Sequence, residues 1–508
     1  MVAIAYTVAF EGIEGRLVEV QCSVAAGLPS FAIVGLPDKA VSEARERVRA
    51  AFHALSIALP SRKITVNLSP ADIPKEGSHF DLPIALSVLA ALETLPAEAL
   101  SDVVSLGELA LDGRLVAVTG ALPAAMTAAE GDNALICPAA CGAEAAWNGS
   151  VPVFAAMQLR QVIDHLSDRA PLHQTIPGQV QAPASLSDLH EVKGQERAKR
   201  ALEIAAAGRH HMLMVGPPGA GKSMLAARLP GLMPPLSPAE ALETSMIHSL
   251  SGLLKDGGIS RHVPFRDPHH TASMAAIIGG GRGAKPGEIS LAHNGILFLD
   301  ELPEFSRQVL DTLRQPIEGG EVIVARANAH IRYPCRFLLI AAANPCRCGH
   351  LADPARACSR APTCGEDYLG KVSGPLMDRF DLRVEVPPLS LDELNLPASG
   401  DHSADIALRI TAARERQSRR FSKYIHDKKP PRTNGEAPPA LLDQIAAPDA
   451  DGRALIHKAS ERLGLTARGY HRILRTARTI ADLDDSTKVD ITHIAEAISY
   501  RLPFLTGG

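Results

Sequence analysis

The sequence lacks an apolar run of the roughly 20 residues that a helix needs to cross a bilayer. Its first residues, MVAIAYTVAFEGIEG, also lack the basic stretch and following apolar stretch of an export signal. These two absences predict a cytoplasmic protein without a membrane partner. A large net charge is missing as well, and the value of −4 neither attracts nor excludes nucleic acid. Any DNA binding must therefore come from local basic surfaces.

The chain is long enough for several cores, since 508 residues suggest roughly three domains of about 150 residues each. Residues 1–166 alternate strand-like runs, such as LVEVQCSV and KITVNLS, with alanine-rich helical patterns, which predicts an α/β domain. Residues 167–187 carry prolines and polar residues without periodicity and are typical of a linker. A second α/β domain is predicted for residues 188–388. The helical patterns of residues 389–508 predict an all-α lid.

A glycine-rich motif, GPPGAGKS, follows the apolar run HMLMV and precedes a helical pattern. This strand, loop and helix order is the context in which Gly-x4-Gly-Lys-Ser binds nucleotide phosphates, because backbone N–H groups turn inward and the helix N-terminus is positive. Lys222 is predicted to reach the β and γ phosphates of ATP, and Ser223 to hold Mg²⁺. The predicted nucleotide-binding residues are Gly216, Pro217, Pro218, Gly219, Ala220, Gly221, Lys222, Ser223, Met224 and, from the next motif, Asp300.

A second apolar run, GILFLDE, closes in two carboxylates and is typical of a strand that is buried on both faces. Ligands bind at the carboxyl ends of such strands. Asp300 is predicted to complete the Mg²⁺ shell with Ser223, and Glu301 to polarise the water that attacks the γ-phosphate. A core strand that ends in solvated acids is the alternative, and the neighbouring phosphate loop argues against it.

Two further side chains are candidates for the same reaction. Asn344 ends the run FLLIAAAN and could orient the attacking water, although asparagine at a strand end also serves turns. Arg379 lies in SGPLMDRFD, whose apolar anchors suit an arginine finger that enters a neighbouring subunit's site. A surface ion pair is the alternative for this arginine.

Four of the eight cysteines lie close together with the spacing C-x-C-x9-C-x5-C, namely Cys346, Cys348, Cys358 and Cys364. In a reducing compartment such a cluster indicates metal or free thiols before disulfides. Four thiolates could close a tetrahedral, structural Zn²⁺ site. The leading C-x-C is tighter than the usual C-x2-4-C, so zinc and free thiols both stay open.

Three basic segments are candidates for DNA contact. The first, a glycine-rich segment that suits loops gripping phosphates, carries Arg261, Arg266, His269, His270, Arg282 and Lys285. Its histidine pair could instead bind a metal, but only Asp267 stands nearby as a further ligand. The second, EGGEVIVARANAHIRYPCRF, predicts a hairpin that projects Arg326 into a channel, or an ordinary edge hairpin. The third, residues 409–432, has nine Lys or Arg and is more typical of a solvated helix face.

The order of the phosphate loop, GILFLDE, AAAN, SGPLMDRFD and TARGYHRILRTARTIADL resembles AAA+ proteins of the magnesium-chelatase and MCM-helicase clade. More closely, the chain resembles the ComM/YifB-type magnesium-chelatase-like family, through YTVAFEGIEG, VGLPDKAVSEARERVRAA, PFRDPHHTAS, GEISLAHNGILFLDELPEF, NPCRCG and HIAEAISYR. The resemblance is nearly full length. It implies a homo-oligomeric ring, in particular a hexamer, that hydrolyses ATP with Mg²⁺.

The same resemblance implies movement on single-stranded and branched DNA, branch migration in homologous recombination during natural transformation, and recombination proteins as partners. It also gives Arg379 the arginine-finger role and Arg468 the second-sensor role in the lid. With Glu301 and Asn344, these arginines complete the predicted catalytic set.

The N-terminal domain resembles the Lon-protease-type fold, also described as S5 domain 2-like, which raises a serine–lysine peptidase as a rival function. His79 stands at the position of the nucleophile, with Ser78 one place early, and Pro123 at that of the lysine. Without a nearby lysine amine as base, a serine hydroxyl is a weak nucleophile. The domain is therefore expected to be an inactive scaffold.

Two other AAA+ functions compete with a DNA translocase. A magnesium-chelatase-type subunit would remodel a protein partner for metal insertion, but no D-x-S-x-S motif accompanies the motor. A transcription-activating ATPase would carry GAFTGA, which is absent from the sequence. The motifs therefore favour DNA as the substrate.

Overall fold

The computed structural model describes residues 2–181, 187–254, 256–281, 284–325, 330–351, 356–395, 400–424 and 430–502. These residues form two α/β units and a C-terminal helical region, which confirms the predicted fold class. None of the helices so described is long and apolar enough to cross a membrane.

The first unit contains a mixed sheet of seven strands and a separate pair. The strands are β1 (Val2–Glu11), β2 (Glu14–Ala25), β3 (Ser30–Val34), β4 (Lys63–Ser69), β5 (Val103–Ser105), β6 (Glu108–Leu109), β7 (Leu115–Val116), β8 (Ala134–Pro138) and β9 (Val153–Ala156). The large sheet has the order β3-β4-β2-β1-β5-β8-β9, and β6 pairs with β7. Val18, Val20 and Cys22 are buried at alternate positions of β2, because successive side chains of a strand point to opposite faces.

Five helices belong to this first unit: α1 (Lys39–Ala54), α2 (Asp81–Ala91), α3 (Ala121–Glu130), α4 (Ala139–Ala145) and α5 (Leu159–Leu166). The helix α1 begins at the N-cap Asp38, whose carboxylate accepts a hydrogen bond of 2.7 Å from the Val41 amide. Helix α2 is buried nearly all round, so it lies in the interior of the unit.

The second unit follows in the order α6 (Glu196–Gly208), β10 (Met212–Val215), α7 (Lys222–Arg228), α8 (Pro238–Leu250), β11 (Phe265–Arg266), α9 (Met274–Ile278), β12 (Gly279–Gly280), β13 (Lys285–Pro286), α10 (Glu288–Leu291), β14 (Ile296–Leu299), α11 (Arg307–Thr312), α12 (Arg314–Gly319), β15 (Glu321–Ala325), β16 (His330–Pro334), β17 (Leu338–Ala343), α13 (Thr363–Leu369), α14 (Gly374–Met377) and β18 (Leu382–Glu385). Its parallel sheet has the order β11-β14-β17-β10-β18. The pairs β12–β13 and β15–β16 form antiparallel hairpins beside it.

The parallel sheet is covered on both faces, which explains why its three central strands, β14, β17 and β10, are apolar at every position. Met212 and Met214 of β10 pack into the core that is shared with the C-terminal helices. Leu213 and Val215 point to the opposite face and pack with α11 and the β15–β16 hairpin. The carboxyl ends of β14, β17 and β10 therefore meet at one edge, where a ligand can bind.

The C-terminal region contains α15 (Leu391–Asn395), α16 (Ser403–Phe421), α17 (Pro439–Ile445), α18 (Ala450–Leu463), α19 (Ala467–Leu483) and α20 (Ile491–Ser499). Asp482, near the end of α19, is buried and accepts hydrogen bonds from Arg420, Arg478 and Asn434. Because Arg420 belongs to α16 and Asn434 to the segment before α17, this one carboxylate ties both to α19.

The first unit contacts the second at several places. The Trp147 indole donates a 2.9 Å hydrogen bond to the Gly257 carbonyl, and the Gly120 amide donates one of 3.3 Å to the Ser249 carbonyl. At the turn between β1 and β2, a Cβ on Gly12 would lie 2.3 Å from the Arg332 carbonyl oxygen of β16. The first sheet thus abuts the β15–β16 hairpin so closely that only glycine fits there.

Candidate nucleotide site

The phosphate loop joins β10 to α7, as the sequence predicts. Lys222 Nζ donates to the carbonyls of Gly216 (2.7 Å) and Pro217 (2.9 Å), so the loop curls around its own lysine. Gly219 and Gly221 have φ values of +78° and +90°, a left-handed backbone that favours glycine. No atom lies within 4 Å of a Cβ built on Gly219, so the rim of the loop is open.

Lys222 is buried, and this burial lowers its pKa, an effect that Asp300 and Glu301 oppose. A buried ammonium held by carbonyls alone suits an anionic ligand, because the loop supplies no carboxylate of its own to neutralise it. The loop's backbone amides and the N-terminus of α7 add positive potential at the same point. The residues present therefore fit the phosphates of ATP.

The carboxylate pair follows β14 directly. Ser223 Oγ donates a 2.6 Å hydrogen bond to Asp300 Oδ2, although the two residues are 77 positions apart in the chain. Hydroxyl and carboxylate oxygens are the ligands that Mg²⁺ prefers in phosphate sites, so this pair fits the metal. Glu301 has a φ of +51°, and its amide donates to Asp300 Oδ1 at 2.9 Å.

Asn344 follows β17, the strand between β14 and β10. Its Oδ1 accepts a 3.2 Å hydrogen bond from Lys222 Nζ. The sheet order thus brings the predicted lysine, serine, two carboxylates and asparagine to one edge.

His270 is a neighbour of this site that the sequence did not identify as such. Its Nδ1 lies 3.4 Å from Glu301 Oε2, and its ring packs against that of His269 with centroids 4.2 Å apart. Nearby, burial and the charge of Asp300 raise the pKa of the Asp267 carboxyl. The histidine pair was predicted to lie in a loop that grips phosphates, and the structure places its second member beside the Glu301 carboxylate. Nothing in its spacing to Glu301 indicates this contact.

Arg379 is buried and held in place on a different side of the core. Its guanidinium donates to Glu318 Oε1 at 2.7 Å and to the Pro375 carbonyl at 2.5 Å, while Arg472 binds its carbonyl oxygen at 3.0 Å. Among the described residues, these partners of Arg379 belong neither to the phosphate loop nor to the carboxylate pair. The alternative of an ion pair is therefore present in the single chain, where it joins the buried Arg379 to Glu318, whose side chain is about half exposed.

Arg468 is exposed at the start of α19. It lines a cleft of about 1100 Å³ together with Glu318, the ion-pair partner of Arg379, and with Arg472 and Arg475. Arg468 therefore borders a cleft that is also lined by the ion-pair partner of Arg379, but not by Arg379 itself, and none of the phosphate-loop residues is among its lining side chains.

Three of the predicted zinc ligands come together. The sulfur atoms of Cys346, Cys348 and Cys364 all lie within 4.8 Å of one another, and those of Cys346 and Cys348 are 3.0 Å apart. Cys358, the remaining cysteine of the predicted set, is not part of this group of three sulfurs. The chemistry of the donor set fits zinc, since four sulfurs at about 2.3 Å from the metal lie about 3.8 Å from each other.

The basic residues of the first two segments predicted to contact DNA differ in their partners and exposure. Arg266 forms a two-pronged ion pair with Glu288, at 2.6 and 2.8 Å, and Arg261 donates to the Leu236 carbonyl at 2.9 Å. Lys285 is exposed in the β12–β13 hairpin. Arg282 and Arg326 lie outside the described residues.

Several of the described arginines in the basic stretch 409–432 already have partners within the chain. Arg409 pairs with Glu203 at 2.6 Å, Arg420 with Asp482 at 2.6 Å and Arg432 with Glu240 at 3.2 Å. Arg414 donates to the Ala206 carbonyl. Since Arg409, Arg414 and Arg420 hold α16 against its neighbours, the interpretation of the stretch as a solvated helix face was wrong for these three.

The geometry of the first unit gives no support to a peptidase. The Ser78 hydroxyl donates to the Glu108 carboxylate, and His79 Nε2 is paired with the Val8 carbonyl at 2.9 Å. The buried Lys75 donates to the Pro70 carbonyl, and burial lowers its pKa. Pro123 lies within α3.

Comparisons with known proteins agree with these motifs. Three family descriptions of the magnesium chelatase subunit ChlI match the chain: "Subunit ChlI of Mg-chelatase" at residues 18–141, "Magnesium chelatase, subunit ChlI" at 188–394 and its C-terminal part at 400–501. The magnesium-chelatase 38 kDa subunit of Rhodobacter capsulatus is 27% identical over 355 residues, which cover 61% of this chain and 86% of that subunit.

Two relatives match over nearly the full length. The competence protein ComM of Haemophilus influenzae is 43% identical over 508 residues, covering 98% of this chain and 97% of the relative. The YifB protein of Salmonella typhimurium is 42% identical over 500 residues, with coverage of 98% and 97%. The chain therefore belongs to the ComM/YifB family of magnesium-chelatase-like AAA+ proteins.

Proposed function

We propose that the protein is an ATP-driven, ring-shaped DNA translocase and helicase that promotes branch migration during homologous recombination in natural transformation. The observation that carries the ATPase half of the proposal is the convergence of Lys222, Ser223 and Asp300 at one sheet edge. The DNA half rests on the full-length similarity to a protein named for competence. Cytoplasmic recombination proteins would be its partners.

In this reaction Lys222 would hold the β and γ phosphates, and the loop from Gly216 to Met224 would wrap them with backbone amides. Ser223 and Asp300 would hold Mg²⁺, which supplies a positive charge that offsets the charge of the phosphates when bound. Glu301 would take the proton of the attacking water, and Asn344 would orient that water. All five groups are supported by their proximity at the ends of β10, β14 and β17.

The site would be completed by a neighbouring subunit. Arg468 lines a cleft beside Glu318, the ion-pair partner of Arg379, and the polar partners of Arg379 lie away from the phosphate loop of their own chain. A neighbour whose phosphate loop docks at this cleft would receive Arg379 as the finger and Arg468 as the second sensor. This supports a closed, head-to-tail homo-oligomer, which we propose to be a hexamer.

The experiment that tests the function is ATP turnover by the purified full chain, alone and with single-stranded or four-way-junction DNA. We expect stimulation by both DNAs and ATP-dependent migration of the junction. If neither DNA changes the rate of ATP turnover, the translocase proposal is overturned, whereas the ATPase proposal stands. Absence of turnover under all conditions would overturn both.

A magnesium-chelatase-type subunit is the second candidate, and the match to the Rhodobacter capsulatus subunit favours it. Such a subunit would remodel a protein partner for metal insertion. For this candidate we expect that DNA leaves the rate of ATP turnover unchanged and that a chelatase partner protein alters it. The same ATPase assay therefore distinguishes the two candidates.

We further propose that Cys346, Cys348, Cys358 and Cys364 hold one structural Zn²⁺. The three clustered sulfurs of Cys346, Cys348 and Cys364 support this set, and the spacing of the sequence supplies Cys358 as the fourth ligand. The ion would close a loop that otherwise has few apolar side chains, as small metal sites do. Metal analysis of protein purified under reducing conditions is expected to find about one zinc per chain.

A further inference from the structure

The cysteine cluster is built into the nucleotide site and does not stand apart from it. Cys346 is the second residue after Asn344, so the segment that carries the thiols leaves the end of β17 without any spacer. The Gly349 amide donates a 3.0 Å hydrogen bond to the Cys346 carbonyl, which closes a tight turn around the first two cysteines. The position of Asn344 therefore depends on how this turn is held.

The same turn touches the phosphate loop. Gly349 has a φ of +83°, and a Cβ built on it would lie 2.5 Å from Pro218 Cδ and 2.7 Å from Pro218 Cγ. Only glycine allows this approach, because a carbon at that distance would overlap the proline ring. The turn and the phosphate loop are thus in direct contact across two segments that are far apart in the chain.

The fourth cysteine connects the cluster to the carboxylate strand. Cys364 lies in the first turn of α13, and the same helix ends near Tyr368, which is buried. Lys371 lies 5.1 Å from the centre of the Tyr368 ring and 3.8 Å from Glu304 Oε2. The Glu304 amide in turn donates a 2.7 Å hydrogen bond to the Glu301 carbonyl.

The cluster therefore reaches three parts of the nucleotide site: the Asn344 strand end, the phosphate loop and the turn after Glu301. We propose that Zn²⁺ in the cysteine cluster is a structural switch for ATP turnover, because the bound ion holds Asn344 and Pro218 in register with the carboxylates. This inference rests on the zinc site and the ATPase activity proposed above. Cys346, Cys348 and Cys364 act as positioning residues, since none of them faces the phosphates.

The magnitude follows from how strongly rates depend on geometry, since a displacement of about 1 Å can cost roughly a hundredfold in rate. Without the metal, the cysteine turn has no restraint on its thiol side and Asn344 moves with it. We expect the kcat for ATP to fall by about tenfold or more when zinc is removed, and to return when zinc is added back.

The first test uses the wild-type full chain. Zinc content and ATP turnover are measured before and after treatment with the zinc-selective chelator TPEN, with Mg²⁺ in excess throughout, and again after zinc is restored. Parallel loss and recovery of both quantities supports the switch. Unchanged turnover in zinc-free protein overturns it while leaving the zinc site in place. Absence of zinc from the purified protein refutes the site itself, and absence of turnover in zinc-loaded protein refutes the ATPase.

The second test uses substitutions with matched controls. Cys364→Ala should lose zinc and turnover together, whereas Cys137→Ala, at another buried cysteine in the first unit, should keep both. Gly349→Ala should keep zinc but weaken binding of a fluorescent ATP analogue about tenfold, because its methyl group pushes on Pro218.

Gly464→Ala is the control for the glycine change. It has a similar left-handed backbone with a φ of +60°, but no atom lies within 4 Å of its added Cβ. If the two glycine variants bind nucleotide with equal affinity, the contact between Gly349 and Pro218 does not affect nucleotide binding. If Cys364→Ala does not fold, the chelation experiment and Gly349→Ala still decide the inference.

Discussion

Nδ1 of His270 lies 3.4 Å from Oε2 of Glu301, the residue proposed to activate water. Glu301 itself has a left-handed backbone, with a φ of +51°, and about half of its side chain is exposed. A carboxylate so placed has several rotamers available, and the imidazole restricts them. The segment that carries His270 continues through α9 into the β12–β13 hairpin with Lys285, a candidate for DNA contact. The contact therefore links the Glu301 carboxylate to the segment that leads into the β12–β13 hairpin with Lys285.

Substitution of His270 tests whether this contact positions Glu301. His270→Asn retains a polar hydrogen near the place of Nδ1, whereas His270→Gln carries its amide farther out. Loss of one hydrogen-bonded contact corresponds to about 1 kcal/mol, or roughly fivefold in rate. We expect His270→Ala and His270→Gln to lower kcat about fivefold with unchanged KM for ATP, and His270→Asn to restore most of it. If all three variants have the kcat of the wild-type protein, contacts other than the one with His270 position Glu301.

Lys222→Ala is expected to abolish ATP binding, because the cation that neutralises the β and γ phosphates is lost. Binding of a fluorescent ATP analogue and steady-state turnover measure this directly. Lys458→Ala, at an exposed lysine of α18, is the control and should bind and hydrolyse ATP normally. Turnover of the Lys222 variant near the wild-type rate would refute the assignment of the phosphate loop.

Glu301→Gln is expected to keep ATP binding and to slow hydrolysis, because the amide preserves the shape but no longer accepts the proton of water. Single-turnover hydrolysis and nucleotide binding, measured on the same preparation, separate the two effects. A variant that fails to bind ATP would assign Glu301 to binding and not to catalysis.

Arg379→Ala is expected to nearly abolish turnover while leaving ATP binding largely intact, since arginine fingers contribute about 10³ to 10⁵ in rate in other NTPases. Mixtures with Glu301→Gln subunits should regain activity, because some interfaces would join an intact Glu301 to an intact Arg379 from the neighbour. Mixed rings that stay inactive, or normal turnover by Arg379→Ala alone, would exclude a site shared between subunits.

Asp482→Ala is expected to destabilise the C-terminal helices by about 3 kcal/mol, because Arg420 and Arg478 would remain with an unpaired buried charge. Asp485→Ala is the control, since this exposed carboxylate pairs with Arg416 at the surface and its loss should cost less than about 1 kcal/mol. Thermal or urea unfolding of both variants measures the difference. Equal stability of the two would mean that the Asp482 network is not a restraint on the lid.

Several elements could be predicted from the sequence because their signals are contiguous. The strand Ile296–Leu299 was predicted at the same bounds, since a short apolar run that ends in two carboxylates favours a strand buried on both faces. The helical pattern predicted for residues 389–508 is present, for example, in the helix Ala467–Leu483. The phosphate loop was identified for the same reason, because its glycines, lysine and serine have fixed spacing within one turn.

The environment of each charge could not be predicted, because ion pairs depend on segments that are distant in the chain. Arg409 and Glu203 are 206 positions apart, and Arg420 and Asp482 are 62 positions apart, yet both pairs are formed. A count of basic residues therefore described the composition of this stretch and not its surface.

The sequence by itself determined which residues we propose for the nucleotide chemistry, namely Lys222, Ser223, Asp300 and Glu301, because local spacing dictates the loop and the strand end. Only the tertiary structure decided that His270 faces Glu301 and that Gly349 touches Pro218. These contacts arise where separate loops meet at the edge of a parallel sheet, and strand order, which no local pattern encodes, decides which loops become neighbours.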